Sequence, residues 1–269
     1  MFGQLVIGAP GAGKSTYCAS MSQLLAALRR PAVCVNLDPA NEILPYKCDV
    51  DIRELITVEE AMLRLKLGPN GALRYCMRTL SKNMEWLRQK LSSFNTYLLI
   101  DLPGQLELYN SDSCIGDIIR TIEKWGHHLV AIHLSDSMYC SDYGKFISVV
   151  LSALSVTVNL EVAQVNVLSK MDLISRDLPF SEDFFTELPN LSRIVELLDE
   201  NAVLSRYKAM NESICTLIDD FDLISFIGID VNHKESMLKL LNAADLANGL
   251  ALAQQPDLRN VVCEEIATS

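Results

Sequence analysis

Gly8-Ala9-Pro10-Gly11-Ala12-Gly13-Lys14-Ser15 decides the fold of this chain. The eight residues satisfy G-x-x-x-x-G-K-[ST]. They stand between the apolar run Gln4-Leu5-Val6-Ile7 and residues 15–28, where Met21, Leu24, Leu25 and Leu28 recur at helical spacing. A strand, a glycine-rich loop and a helix are therefore expected in that order. Glycines let the main chain curl so that several N–H groups point inward, the helix N-terminus adds positive partial charge, and Lys14 supplies a formal cation. Such a loop grips phosphates. Gly11, Ala12, Gly13, Lys14, Ser15 and Thr16 are the expected binding residues, with the Ser15 hydroxyl as a ligand to Mg2+ on a nucleoside triphosphate.

Outward from this loop the pattern repeats. Val/Leu/Ile-rich runs at 32–37, 96–102, 129–134 and 162–168, with a last short one at 225–228, show the near-continuous apolarity of strands covered on both faces. Between them the spacing predicts helices at 74–91, 113–125, 145–158, 204–219 and 234–247. The expected fold class is α/β: a doubly wound, mostly parallel sheet of the P-loop NTPase type, flanked by helices and carrying helical insertions. One domain at 1–249, with insertions at about 38–73 and 175–205, and a mobile tail at 250–269 complete the organisation.

Composition narrows the function. With 23 Lys and Arg against 34 Asp and Glu, the net charge of −11 leaves direct nucleic-acid binding without its usual electrostatic source. The eight cysteines form no CxxC pair, which argues against a disulfide framework or a zinc site and for free buried thiols. No apolar run approaches the ~20 residues that span a bilayer, and no signal segment precedes the first strand, so a cytoplasmic location is expected. His127-His128 is read as a cationic cap on the preceding helix.

Further candidates follow the strands. Asp101-Leu102-Pro103-Gly104-Gln105 closes the third strand, where a carboxylate holds the metal's water shell in P-loop proteins; Asp101 is the second metal-site candidate. The Gly104 N–H is placed to meet a γ-phosphate, Gln105 to orient an attacking water, and Glu107 to act beside it. Asp38, in Asn36-Leu37-Asp38-Pro39-Ala40, reads either as an acceptor for that water or as a turn-initiating Asp-Pro. Ser169-Lys170-Met171-Asp172 follows the fourth of these later strands. The Asp172 carboxylate offers two adjacent acceptors to guanine's N1–H and N2–H2 donors, the Lys170 stem can cover the base, and Ser169 replaces the Asn common in GTPases. Gly68-Pro69-Asn70-Gly71 reads as a β-turn by its residue chemistry.

Taken together these motifs resemble the GPN-loop GTPases, a family of the SIMIBI branch of P-loop proteins. The resemblance rests on residues 8–18, Asn36 to Ala40, Gly68 to Gly71, Asp101 to Gln105 with Glu107-Leu108, Lys145-Phe146-Ile147-Ser148 and Ser169 to Leu173, and runs from about residue 2 to about 249. Asn41-Glu42 with Leu44-Pro45-Tyr46 points to the second of its eukaryotic paralogues. The chain departs at Leu102, where members often have Cys, at Leu108-Tyr109, where Thr-His often follows the Glu, and at Arg78, where Glu is usual. The resemblance implies GTP and GDP as ligands with Mg2+, and a dimer with itself or a paralogous GPN-loop GTPase. It places Asn70 near the γ-phosphate of the partner's nucleotide, and Asp38, Gln105 and Glu107 around the attacking water. It also implies a role in assembling RNA polymerase II and delivering it to the nucleus, with polymerase subunits or assembly factors as partners and shuttling from the cytoplasm. Two rival functions are a P-loop kinase with a small acceptor, and a GTP-bound assembly factor that barely hydrolyses.

Overall fold

The computed structural model describes residues 1–110, 113–173, 207–221 and 224–253. Seven strands form one sheet: β1 (Phe2–Gly8), β2 (Ala32–Asn36), β3 (Val50–Asp51), β4 (Tyr97–Asp101), β5 (His128–Asp136), β6 (Gln164–Ser169) and β7 (Phe226–Gly228). Their spatial order is β3-β2-β4-β1-β5-β6-β7, and every pairing is parallel. The helices are α1 (Lys14–Ala27), α2 (Val58–Leu65), α3 (Pro69–Lys82), α4 (Met84–Leu91), α5 (Glu107–Asn110), α6 (Cys114–Lys124), α7 (Tyr143–Leu160), α8 (Lys208–Phe221), α9 (Lys234–Ala247) and α10 (Leu250–Ala253).

Both sheet faces are covered, which is why the strands read as unbroken apolar runs. On one face Leu5, Ile7, Leu98, Ile100 and Ala131 pack with Met77, Leu87 and Ile118 from α3, α4 and α6. On the other, Val6, Leu99, Val130 and Ile132 pack with Tyr17, Met21 and Leu25 of α1 and Leu240 and Leu241 of α9. Gln4 lies fully buried in β1 because its amide is satisfied: it accepts from Tyr17 Oη at 2.6 Å and donates to Tyr97 Oη at 3.1 Å. A third cluster joins Phe146 and Val150 of α7 to Cys215 and Ile218 of α8 and Phe226 of β7. Helix α7 is long and apolar enough to cross a bilayer, but those buried residues are spent on this cluster.

Several expectations are corrected. The helix expected at 74–91 is two helices, because Asn83 leaves helical geometry at φ −116°, ψ 35° and its Nδ2 donates back to the Thr79 carbonyl at 2.7 Å. Gly68 to Gly71 is not a free β-turn but the start of α3: Gly68 is the N-cap and Pro69 takes the first helical position, where its fixed φ fits and its missing N–H costs nothing. Inside the expected insertion 38–73, the two-residue β3 extends the sheet edge beside β2, too short for periodicity to reveal. His127 is buried, and burial lowers its pKa, which opposes the cationic cap expected there; α6 ends at Lys124 with Trp125 as its C-cap, and the Gly126 N–H beyond it donates to the Glu123 carbonyl at 2.8 Å. The expected insertion at 175–205 lies outside the described residues. Of the expected tail, 250–253 forms α10 and the remainder lies outside them.

Because all strands run one way, the carboxyl ends of β1, β2, β4 and β6 share one edge. That edge collects Gly8 to Ser15, Asn36 to Asp38, Asp101 to Gln105 and Ser169 to Asp172.

Candidate functional site

Gly13 caps α1 with φ 90°, a left-handed conformation open to glycine, and so turns the chain from loop to helix. The first helical bond runs from Tyr17 N to Gly13 O at 2.8 Å, so the amides of Lys14, Ser15 and Thr16 precede the helical ladder and face an incoming anion. No acidic residue in that first turn competes for them. Lys14 is buried with its Nζ donating to the Ala9 carbonyl at 3.3 Å. Burial lowers its pKa, and the nearby Asp101 and Asp38 charges oppose that. The 101–105 turn lies directly on this lysine. A Cβ at Gly104 would stand 2.6 Å from Lys14 Nζ and 3.0 Å from the Pro10 nitrogen, so a side chain there would displace the lysine and press on the loop backbone.

Pairing of Val6 with Asp101 brings the end of β4 beside the loop. There Ser15 Oγ donates to Asp101 Oδ2 at 2.8 Å, Tyr46 Oη donates to the same oxygen at 3.1 Å, and Asn41 Nδ2 donates to Ser15 Oγ at 2.9 Å. Asp101 is 1% exposed, and its Oδ1 is buried with no hydrogen-bond partner. Burial raises the Asp101 pKa, while the Ser15 hydroxyl, the Lys14 charge and the Tyr46 hydroxyl hold it down. A bare buried carboxylate oxygen next to a hydroxyl fits the shell of a hard divalent cation. Among the described residues no group of three or more His, Cys, Asp or Glu could hold a metal alone, so a cation here draws further ligands from phosphate oxygens and water.

Asp38 builds its own turn and lies within reach of the Lys14 charge. Its Oδ1 accepts from Ala40 N at 3.0 Å and its own N–H donates to Asn36 Oδ1 at 3.2 Å. Burial raises its pKa and Lys14 opposes. The turn is braced from behind: Asn36 Nδ2 donates to Asp51 Oδ1 at 3.0 Å, and Arg53 Nη2 grips Asp51 Oδ2 at 2.6 Å. Gln105 Nε2 reaches Asn70 Oδ1 at 3.0 Å, which places the start of α3 at the same mouth. Glu107 is exposed at the start of α5. Leu102, Leu108 and Tyr109, the departures noted in the sequence, are buried.

The residues expected beside the base lie across the crevice. Lys170 adopts φ 60° and its Nζ pairs with Asp136 Oδ2 at 2.7 Å. Ser169 is buried, its hydroxyl donating to the Ala12 carbonyl at 2.8 Å, so it ties β6 to the phosphate loop. Asp172 is exposed in a short 3-10 turn. Met171 N donates to the Ile229 carbonyl at 3.1 Å, bringing the segment after β7 alongside. A cavity of about 470 Å3 runs from Lys170 along Pro10 and Gly11 to Leu106, Tyr139 and Lys145.

Sequence reasoning passed over Asn41, Tyr46, Asp136 and Tyr109. The Tyr109 hydroxyl donates to the Pro103 carbonyl at 2.6 Å and pins the 101–105 turn. Asn41 and Tyr46 carried a signal, since the sequence set them apart as a paralogue signature, but no local pattern connects them to Asp101.

Fold and site define a P-loop nucleotide-binding protein of the parallel α/β class. A family profile described as "Conserved hypothetical ATP binding protein" matches residues 6–249. GPN-loop GTPase 2 of Danio rerio is 47% identical over 251 residues, covering 92% of this chain and 81% of that protein. GPN-loop GTPase QQT1 of Arabidopsis thaliana is 42% identical over 258 residues, covering 94% and 87%. An apo-form GTPase from Pyrococcus abyssi shares the fold with a TM-score of 0.75 at 23% identity, over 91% of this chain and 97% of that one. The chain belongs to the GPN-loop GTPase family.

Proposed function

We propose that this protein binds Mg2+ and GTP, hydrolyses GTP to GDP and phosphate, and acts as a dimeric switch. The observation that carries the reading is the meeting of Ser15 and Asp101 at 2.8 Å, with one Asp101 oxygen bare, directly beside Lys14 and the free amides of α1. In the reaction, those amides and Lys14 bind the β- and γ-phosphates and stabilise charge on the transferring phosphoryl. Ser15 and Asp101 would hold the cation and its water shell, and a bound Mg2+ would supply charge neutralisation to the phosphates. Asp38 and Gln105 orient the water for in-line attack, with Asp38 as hydrogen-bond acceptor. The Asp172 carboxylate selects guanine and the Lys170 stem lies on the base.

The profile's description mentions ATP and the relatives' names GTP. The two adjacent acceptors of Asp172 favour guanine, since adenine turns an acceptor of its own toward them. We extend to this chain the role the resemblance implies: a dimer with itself or a paralogue in which Asn70 faces the partner's nucleotide, acting in RNA polymerase II assembly and nuclear delivery from the cytoplasm. The net charge of −11 suits protein partners over nucleic acid. Nucleotide competition with single-turnover hydrolysis tests the reading. GTP preference and phosphate release without an acceptor are expected; ATP preference, or turnover that requires a small acceptor, would overturn it in favour of a kinase. A wild type that binds GTP and shows no measurable hydrolysis would leave a binding-only assembly factor.

A further inference from the structure

Three segments meet at the metal candidates in one hydrogen-bonded chain: Asn41 Nδ2 to Ser15 Oγ, Ser15 Oγ to Asp101 Oδ2, and Tyr46 Oη to that same oxygen. Its capacity can be counted. Ser15 has one hydrogen and two lone pairs. The hydrogen goes to Asp101 and one lone pair to Asn41, which leaves one lone pair. Asp101 spends Oδ2 on two donors and leaves Oδ1 buried without any. The chain thus leaves one lone pair on Ser15 and the whole of Oδ1 on Asp101 for a further partner. Tyr46 packs its ring against the apolar cluster of α1 and β4, a task phenylalanine would perform equally well, so its hydroxyl serves the carboxylate.

We infer that Asn41 and Tyr46 are positioning residues for the metal shell: Asn41 fixes the rotamer of the Ser15 hydroxyl, and Tyr46 fixes the carboxylate plane of Asp101. Outer partners of this kind orient metal ligands, and their loss weakens binding about 10- to 100-fold. The inference rests on the proposed reading that Ser15 and Asp101 serve a divalent cation.

The test is titration of the full chain with Mn2+ in the presence of GDP, followed by electron paramagnetic resonance. Wild type, Tyr46→Phe and Asn41→Ala are compared, with GDP affinity in EDTA measured for each. Expected are Mn2+ affinities about tenfold weaker in both variants and metal-free GDP affinities within about twofold of wild type. Mn2+ affinities unchanged in the variants, or metal-free GDP affinity falling alongside, would overturn the inference, the second by showing a merely structural role. Wild type that binds GDP but no Mn2+ would overturn the metal reading itself, and the inference with it.

Discussion

Gln105 Nε2 donates to Asn70 Oδ1 at 3.0 Å, so the side chain proposed to orient water and the side chain proposed to act on a partner's nucleotide are joined within one chain. The bond engages the Gln105 amide N–H and the Asn70 carbonyl oxygen. It ties the start of α3 to the 101–105 turn and leaves the Gln105 carbonyl oxygen to orient water and the Asn70 NH2 to meet another acceptor. Gln105→Ala is expected to slow single-turnover GTP hydrolysis by about 100-fold with GDP affinity unchanged. Asn70→Ala is also expected to be slow, and mixing it with Gln105→Ala should restore a measurable rate, because mixed dimers hold one complete site. A mixture no faster than its components counts against Asn70 acting across an interface.

Gly104 stands against Lys14, the lysine proposed to bind phosphate. In Gly104→Ala the new methyl meets Lys14 Nζ at 2.6 Å and the Pro10 nitrogen at 3.0 Å, so either the lysine or the turn must move. GTP affinity should fall at least tenfold, read by fluorescent-nucleotide titration. Retained affinity and rate would mean that the turn stands clear of the lysine in solution.

Tyr109 fixes the same turn from below. Tyr109→Phe leaves the buried Pro103 carbonyl without its 2.6 Å donor, at a cost of about 1–3 kcal/mol. Chemical denaturation should show that loss, and hydrolysis should slow more than GDP binding weakens, because the turn carries Gln105. Equal stability of variant and wild type would remove the hydroxyl from the account.

His133 gives a pH signature. It is 2% exposed, and burial pushes its pKa down to about 4 against a hydrogen bond to Asn166 that raises it. In the unfolded chain it protonates near its ordinary value of about 6.5. Between these values the unfolded state holds the extra proton, so the contribution is full above about pH 6.5 and is lost as pH falls toward 4. The stake is roughly 3 kcal/mol at most. Melting curves at pH 7.5, 6 and 5 should show a smaller acid-induced drop in His133→Gln than in wild type; parallel slopes would refute the assignment.

Legibility from sequence followed contiguity. The phosphate loop, the Asp101–Gln105 turn and Lys170 with Asp172 each hold their chemistry within a few adjacent residues, so they could be placed from residue type and strand position. Asn41, Tyr46 and Tyr109 act across space: Tyr46 is 55 residues from the carboxylate it touches, and no spacing rule links the two. The break at Asn83 was hidden because apolar periodicity continues through α3 and α4 on one core, while a single side chain bonding back to Thr79 ends the first helix. The start of α3 was misread because Gly-Pro-Asn-Gly suits a turn and a helix entry equally, and packing decides between them.

The central place of β1 sets a timetable for synthesis. Phe2–Gly8 is synthesised before both of its neighbours, Tyr97–Asp101 and His128–Asp136, with Phe2 opposite His128. At about 5–20 residues per second the earliest strand waits on the order of ten seconds for its second flank. Until β5 has emerged, Leu5, Val6 and Ile7 can pair with β4 alone, and the other edge of β1 stays open.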